Sequence, residues 1–86
     1  MSAENQRLKL LYLARILQEE TDENHGLTCP QLCERLAERG IKVERKTFYR
    51  DIQSLVDFGY DIQKIPHNPV EYALVTREFQ DQELIL

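Results

Sequence analysis

The chain has 86 residues, 42% of them hydrophobic and 30% charged, with a net charge of −4 at neutral pH. That size and balance point to one small globular domain and exclude a disordered polar chain. No run reaches the ~18 apolar residues of a membrane span, and the densest apolar stretch, residues 8–17, carries Lys9 and Arg15 and lacks a signal-peptide cleavage pattern. A cytoplasmic protein with no membrane partner is expected.

Residues 1–3 read as a loose tail and 4–20 as a first helix. Leu10, Leu13, Ala14 and Leu17 follow the i, i+3, i+4, i+7 rule, and Leu11 and Ile16 widen the stripe. TDENHG, residues 21–26, is a polar loop. Thr28 then caps a second helix, with Gln31 three residues on as the T-x-x-Q capping box and Pro30 in the first turn, where its missing N–H costs nothing. Leu32, Cys33 and Leu36 make its buried side, and Gly40 ends it in a left-handed conformation. A third helix spans 45–58, with Glu44 at its N-cap and Gly59 as its stop. Phe48, Ile52, Leu55 and Val56 face the core, so Arg45, Lys46, Tyr49, Arg50 and Gln53 lie away from it, with Thr47 on the shoulder.

After Gly59 the apolar period changes to 2. Tyr60 and Ile62 alternate with Asp61 and Gln63; Val70, Tyr72 and Leu74 alternate with Glu71 and Ala73; the turn stretch PHNP lies between them at 66–69. This pattern predicts a β-hairpin. Thr76 caps a last helical segment, TREFQDQELIL, whose final residues are Leu84, Ile85 and Leu86. An amphipathic helix rarely stops in its apolar run, so the segment is expected to continue in a longer protein.

Cys29 and Cys33 are the only cysteines and sit four apart in a predicted helix, poorly placed for a disulfide. His25 and His67 complete no zinc spacing with them. Cys33 is expected in the core and Cys29 near the helix start, as befits a reducing compartment. Gly26, Gly40 and Gly59 are scattered turn residues rather than a phosphate-cradling loop, and no nucleophile is paired with a base. No enzyme activity, metal or cofactor is expected.

The charge distribution carries the functional signal. Residues 35–50 hold Arg35, Arg39, Lys42, Arg45, Lys46 and Arg50 against Glu38 and Glu44, a net +4, which leaves −8 on the other 70 residues. At physiological salt the screening length is about 8 Å, so a distant acidic face does not cancel such a patch. Helix, helix, short turn, helix, hairpin is the order of a winged helix-turn-helix, an α+β fold that is mainly α, here over residues 1–75, with 76–86 starting a linker helix. In that architecture the third helix enters the major groove of double-stranded DNA, its N-terminal end foremost. There Arg45 and Lys46 add positive charge to the helix dipole. Arg50 reaches a phosphate or a guanine edge, and Thr47 and Tyr49 donate to phosphate oxygens. Lys64, His67 and Asn68 on the hairpin touch the flanking backbone or minor groove, and Thr28 and Gln31 at the second helix start complete the expected contact set. Two other readings stand beside this one: a merely solvated charged face, and a winged helix used for protein interaction or dimerisation, its patch docking an acidic partner.

The stretch LTCPQLCERLAERGIKVERKTFYRDIQSLVDFGYDI, residues 27–62, resembles the N-terminal winged helix of WYL-domain transcriptional regulators, a bacterial family. The likeness is carried by Leu27-Thr28, Arg45-Lys46-Thr47, Arg50-Asp51-Ile52, Leu55 and Gly59-Tyr60-Asp61-Ile62. TDENHGLT resembles the loop before the second helix in Gram-positive members, and EYALVTREFQDQELIL the wing strand and first helix leading to the sensing part. Glu44 departs from the small capper usual in the family, and Ala73 from the aromatic common in its wing strand. The resemblance implies a transcription factor that binds promoter DNA as a homodimer. It also implies an effector site in a C-terminal domain outside this chain.

Overall fold

Three helices and a three-stranded antiparallel sheet make up the computed structural model, which describes residues 3–75. Met1, Ser2, the expected cap at Thr76 and the expected helical segment 76–86 lie outside the described residues. In chain order the elements are α1 (Ala3–Glu20), β1 (Leu27–Thr28), α2 (Cys29–Ala37), α3 (Arg45–Phe58), β2 (Ile62–Ile65) and β3 (Glu71–Leu74). Ala3, expected in the tail, already belongs to α1.

The helices begin and end where local chemistry tells them to. At α2 the Thr28 hydroxyl accepts the Gln31 N–H at 3.2 Å while the Gln31 side-chain oxygen accepts the Thr28 N–H at 2.9 Å, so the capping box is complete. Past α2 the chain turns at Gly40, whose φ of 79° lets the Ile41 N–H return to the Leu36 carbonyl at 3.0 Å. Gly59, with φ 127°, does the same for α3, and the Tyr60 N–H reaches the Leu55 carbonyl at 3.0 Å.

Leu13, Ile16, Leu17, Leu32, Leu36 and Phe48 are wholly buried and form the centre of the core. Several expectations are corrected at its margin. Leu11 is 60% exposed, because the buried stripe of α1 centres on Leu13 and Leu17 and leaves Leu11 on the far side. Val56 is also exposed; the stripe of α3 is Phe48, Asp51, Ile52 and Leu55. The inward place on α3 that sequence reasoning gave to an apolar side chain thus belongs to a carboxylate. Asp51 is neutralised by Lys9 of α1, whose Nζ lies 2.8 Å from Asp51 Oδ2, with both side chains almost fully buried. Cys29 stands at the start of α2 as expected but is buried, and Cys33, expected in the core, is half-buried against it.

The expected hairpin forms from β2 and β3, with Lys64 opposite Tyr72 and Ile62 opposite Leu74, although burial does not alternate along either strand. β1 was not expected. It pairs with the other edge of β3, Leu27 opposite Tyr72 and Thr28 opposite Glu71, giving the order β1-β3-β2. Ala73, expected outside, is buried beside Tyr72 and Leu74 on the central strand β3. Residues 21–26 bring the chain from α1 to β1 through a tight turn. The Asp22 carboxylate accepts the Asn24 and His25 N–H groups, each at 2.8 Å. Gly26 makes the β1–β3 approach possible: a Cβ there would lie 2.8 Å from the Tyr72 carbonyl oxygen and 2.9 Å from Glu71 Cβ. Thr21 ties the sheet to α1, its hydroxyl donating to the Leu17 carbonyl and accepting the Leu74 N–H at 2.9 Å.

Candidate functional site

Burial of Phe48, Asp51, Ile52 and Leu55 turns the opposite side of α3 outward. Arg45, Lys46, Tyr49 and Arg50 are all exposed on that side, and none pairs with a carboxylate among the described residues. Tyr49 is held by edge-to-face packing on Phe48, ring centroids 5.6 Å apart, and Phe48 packs in turn on Tyr72 of β3 at 5.3 Å. A line of rings therefore runs from the central strand through the core to the surface of α3. Thr47 is placed differently from its expected role. Its hydroxyl donates to the Glu44 carbonyl at 2.8 Å, so its proton is committed within the helix start and only its acceptor pairs face outward chemistry. Glu44 occupies the N-cap position without a side-chain cap bond, which leaves the first N–H groups of α3 uncapped by it.

Not all of the basic stretch serves this face. Arg35 turns to α1, its Nε 2.9 Å from Glu20 Oε1, and that carboxylate raises the guanidinium's proton affinity further. Arg39 donates to the Arg35 carbonyl at 2.9 Å and lies 6.0 Å above the Tyr12 ring. The outward-facing set is therefore Arg45, Lys46 and Arg50, with Lys42 exposed beside them.

Thr28 and Gln31 stand at the start of α2 and spend their oxygens on each other in the capping box. The Gln31 amide NH2 remains as the donor this end can offer. On the hairpin, Lys64 projects from β2 and is exposed, while Asn68 stands in the turn before a cis peptide to Pro69. The His67 ring nitrogen Nδ1 lies 3.3 Å from Glu71 Oε2, and its backbone N–H donates to the Ile65 carbonyl at 2.7 Å. His67 is thus directed back along the hairpin.

These three regions meet. Cys29 and Pro30 of α2, Arg45 and Tyr49 of α3, and Pro69, Val70 and Tyr72 of the hairpin line one open hollow of about 180 Å³. The expected contact residues Arg45 and Tyr49 are in its wall; Thr28 and Gln31 flank Cys29 and Pro30 in the chain, and Asn68 precedes Pro69. Sequence reasoning missed Pro30, Pro69 and Val70 as parts of this surface. Val70 was assigned to the inward alternation of β3 but is 41% exposed. The signal was present in the turn stretch, where proline on both sides of His67 and Asn68 shortens the regular strand. Closeness shows in the proton affinities too. Burial first, then the neighbouring Tyr49 and Cys29, raise the Tyr72 hydroxyl above its ordinary range. Burial and the adjacent Cys29 thiol push Cys33 up to about 11, with Arg45 opposing.

Among the described residues, no group of three histidine, cysteine or acidic side chains is placed to hold a metal, and no helix is long and apolar enough to cross a membrane. Compared with protein-family models, with curated proteins and with solved structures, the chain matches none.

Proposed function

We propose that this chain is a winged helix-turn-helix that binds double-stranded DNA in a sequence-dependent way, as the DNA-reading module of a WYL-type transcriptional regulator. In this reading α3 lies in the major groove, the β2–β3 turn follows the flanking backbone, and the start of α2 meets a phosphate. The observation that carries it is the convergence of the α2 start, the α3 start and the hairpin turn around one hollow, beside cations that no described carboxylate neutralises. Arg45 and Lys46 position the protein on phosphate, Tyr49 donates to a phosphate oxygen, and Arg50, further along α3, reaches a phosphate or a guanine edge. A homodimer in the full-length regulator, with effector binding in another domain, belongs to the same proposal.

One observation favours a second reading, a protein-docking or dimerisation module. Leu8, Leu11 and Phe58 are exposed, Phe58 at 81%, around an apolar groove lined by Leu10, Ala14, Leu55 and Tyr60. Salt separates the two readings. Duplex affinity of the wild type, measured by fluorescence anisotropy, is expected to fall log-linearly with salt by about 0.9 per phosphate contacted. Arg45→Ala and Lys46→Ala should each weaken all duplexes and flatten the slope by about 1, whereas Arg50→Ala should relax preference at one base pair. Duplex binding that is absent, or indifferent to salt, sinks the DNA reading.

A further inference from the structure

We propose that the buried Lys9–Asp51 ion pair sets the rotation and angle of α3 against α1, and thereby the direction in which the DNA-facing side chains project; this rests on the DNA reading above. Both partners are 2% exposed, and the Lys9 Nζ to Asp51 Oδ2 distance is 2.8 Å. The other carboxylate oxygen, Oδ1, accepts the Gln6 side-chain amide at 3.1 Å, so both ends of the carboxylate are held by α1. Taking two charges out of water is costly, and an apolar pair of equal volume commonly gives equal or greater stability. Stability is therefore not what distinguishes the pair from the leucines around it. What it supplies is direction. Packed apolar side chains tolerate sliding and re-packing, whereas a buried carboxylate that takes a hydrogen bond at Oδ1 and an ion contact at Oδ2, both from α1, restricts how α3 can turn on it.

Asp51 is well placed to transmit that geometry. It follows Arg50 directly, and successive residues on a helix are separated by about 100°. Fixing the Asp51 side chain on α1 fixes the outward bearing of Arg50, and with it Lys46 and Tyr49 on the same rigid helix. Lys9 and Asp51 are thus positioning residues: neither touches the proposed ligand.

The test compares the wild type with the doubly apolar variant Lys9→Met/Asp51→Leu. Each is measured against a duplex selected by the wild type from a random pool, and against an unselected duplex, at one salt concentration. The double variant should fold with the wild-type circular dichroism spectrum and an equal or higher Tm. Its preference for the selected duplex should fall by about tenfold or more, while its affinity for the unselected duplex and its salt slope stay the same, since every surface cation is retained. Amide residual dipolar couplings should report a changed α1–α3 angle. A folded double variant with the wild-type preference and angle overturns the proposal. If the apolar pair does not fold, Lys9→Met/Asp51→Asn, which keeps the side-chain lengths and the Gln6 hydrogen bond while removing the ion pair, takes its place with the same expected loss of preference and change of angle. If the wild type itself binds no duplex, the DNA reading fails first and the dipolar couplings alone decide whether the pair sets the helix angle.

Discussion

At the residue scale, the site is defined by which polar groups are already spent. Thr28 and Gln31 bind each other, Thr47 binds the Glu44 carbonyl, and His67 faces Glu71, whereas Arg45, Lys46 and Arg50 meet no described carboxylate. In the proposed DNA reading free charge is what the phosphate backbone recognises, so the cations would carry the affinity while the hydroxyls and amides would adjust register. The two thiols beside the site are a contrasting case. With its pKa raised from 9.0 to about 11, Cys33 holds about a hundredfold less thiolate at pH 8 than an unperturbed thiol. Its alkylation by iodoacetamide should be slower by about that factor in the folded protein and recover in denaturant. A rate equal to that of a free thiol would contradict the half-buried, Cys29-adjacent placement.

At the element scale, caps and close approaches decide the positions of α3 and the sheet. Glu44 has N-cap position and backbone geometry but no cap bond. Glu44→Ser should supply one, raising stability by about 1 kcal/mol in urea unfolding, and should strengthen duplex binding by removing a negative charge from the helix start. A loss of duplex affinity on that change would argue against phosphate at this end. Gly26 is the other sensitive point, since a methyl group there meets the β3 backbone. Gly26→Ala should cost about 1–3 kcal/mol by overpacking, readable as a lower urea midpoint with the slope unchanged. The helices were legible in the sequence because period and caps agreed: Thr28, Gln31, Gly40 and Gly59 each act as their chemistry predicts. β1 was not legible, because a strand of two residues has no period and exists only through its pairing with Tyr72 and Glu71. Nor was the inward turn of Asp51. A lone carboxylate between apolar neighbours reads as solvated, and only a lysine 42 positions away makes its burial possible. Of the site, the clustered cations were visible as charge. The contribution of Pro30, Pro69 and Val70 was not, because it arises where three separate elements meet.

At the scale of the whole molecule, a chain of net charge −4 presents two unlike faces. One gathers cations that meet no described carboxylate, with Tyr49 and the hairpin turn; another exposes Leu8, Leu11 and Phe58 across α1 and the end of α3. A polar, cationic face suits a nucleic acid and an apolar one suits a protein, so the two readings of function make their claims on different surfaces. A backbone amide NMR titration with duplex DNA at low salt therefore tests the central claim most directly. The account predicts shifts concentrated at residues 28–31, 45–50 and 64–70 that fade as salt is added. Absence of shifts at high DNA concentration, or shifts confined to Leu8, Leu11 and Phe58 and their neighbours, would contradict it.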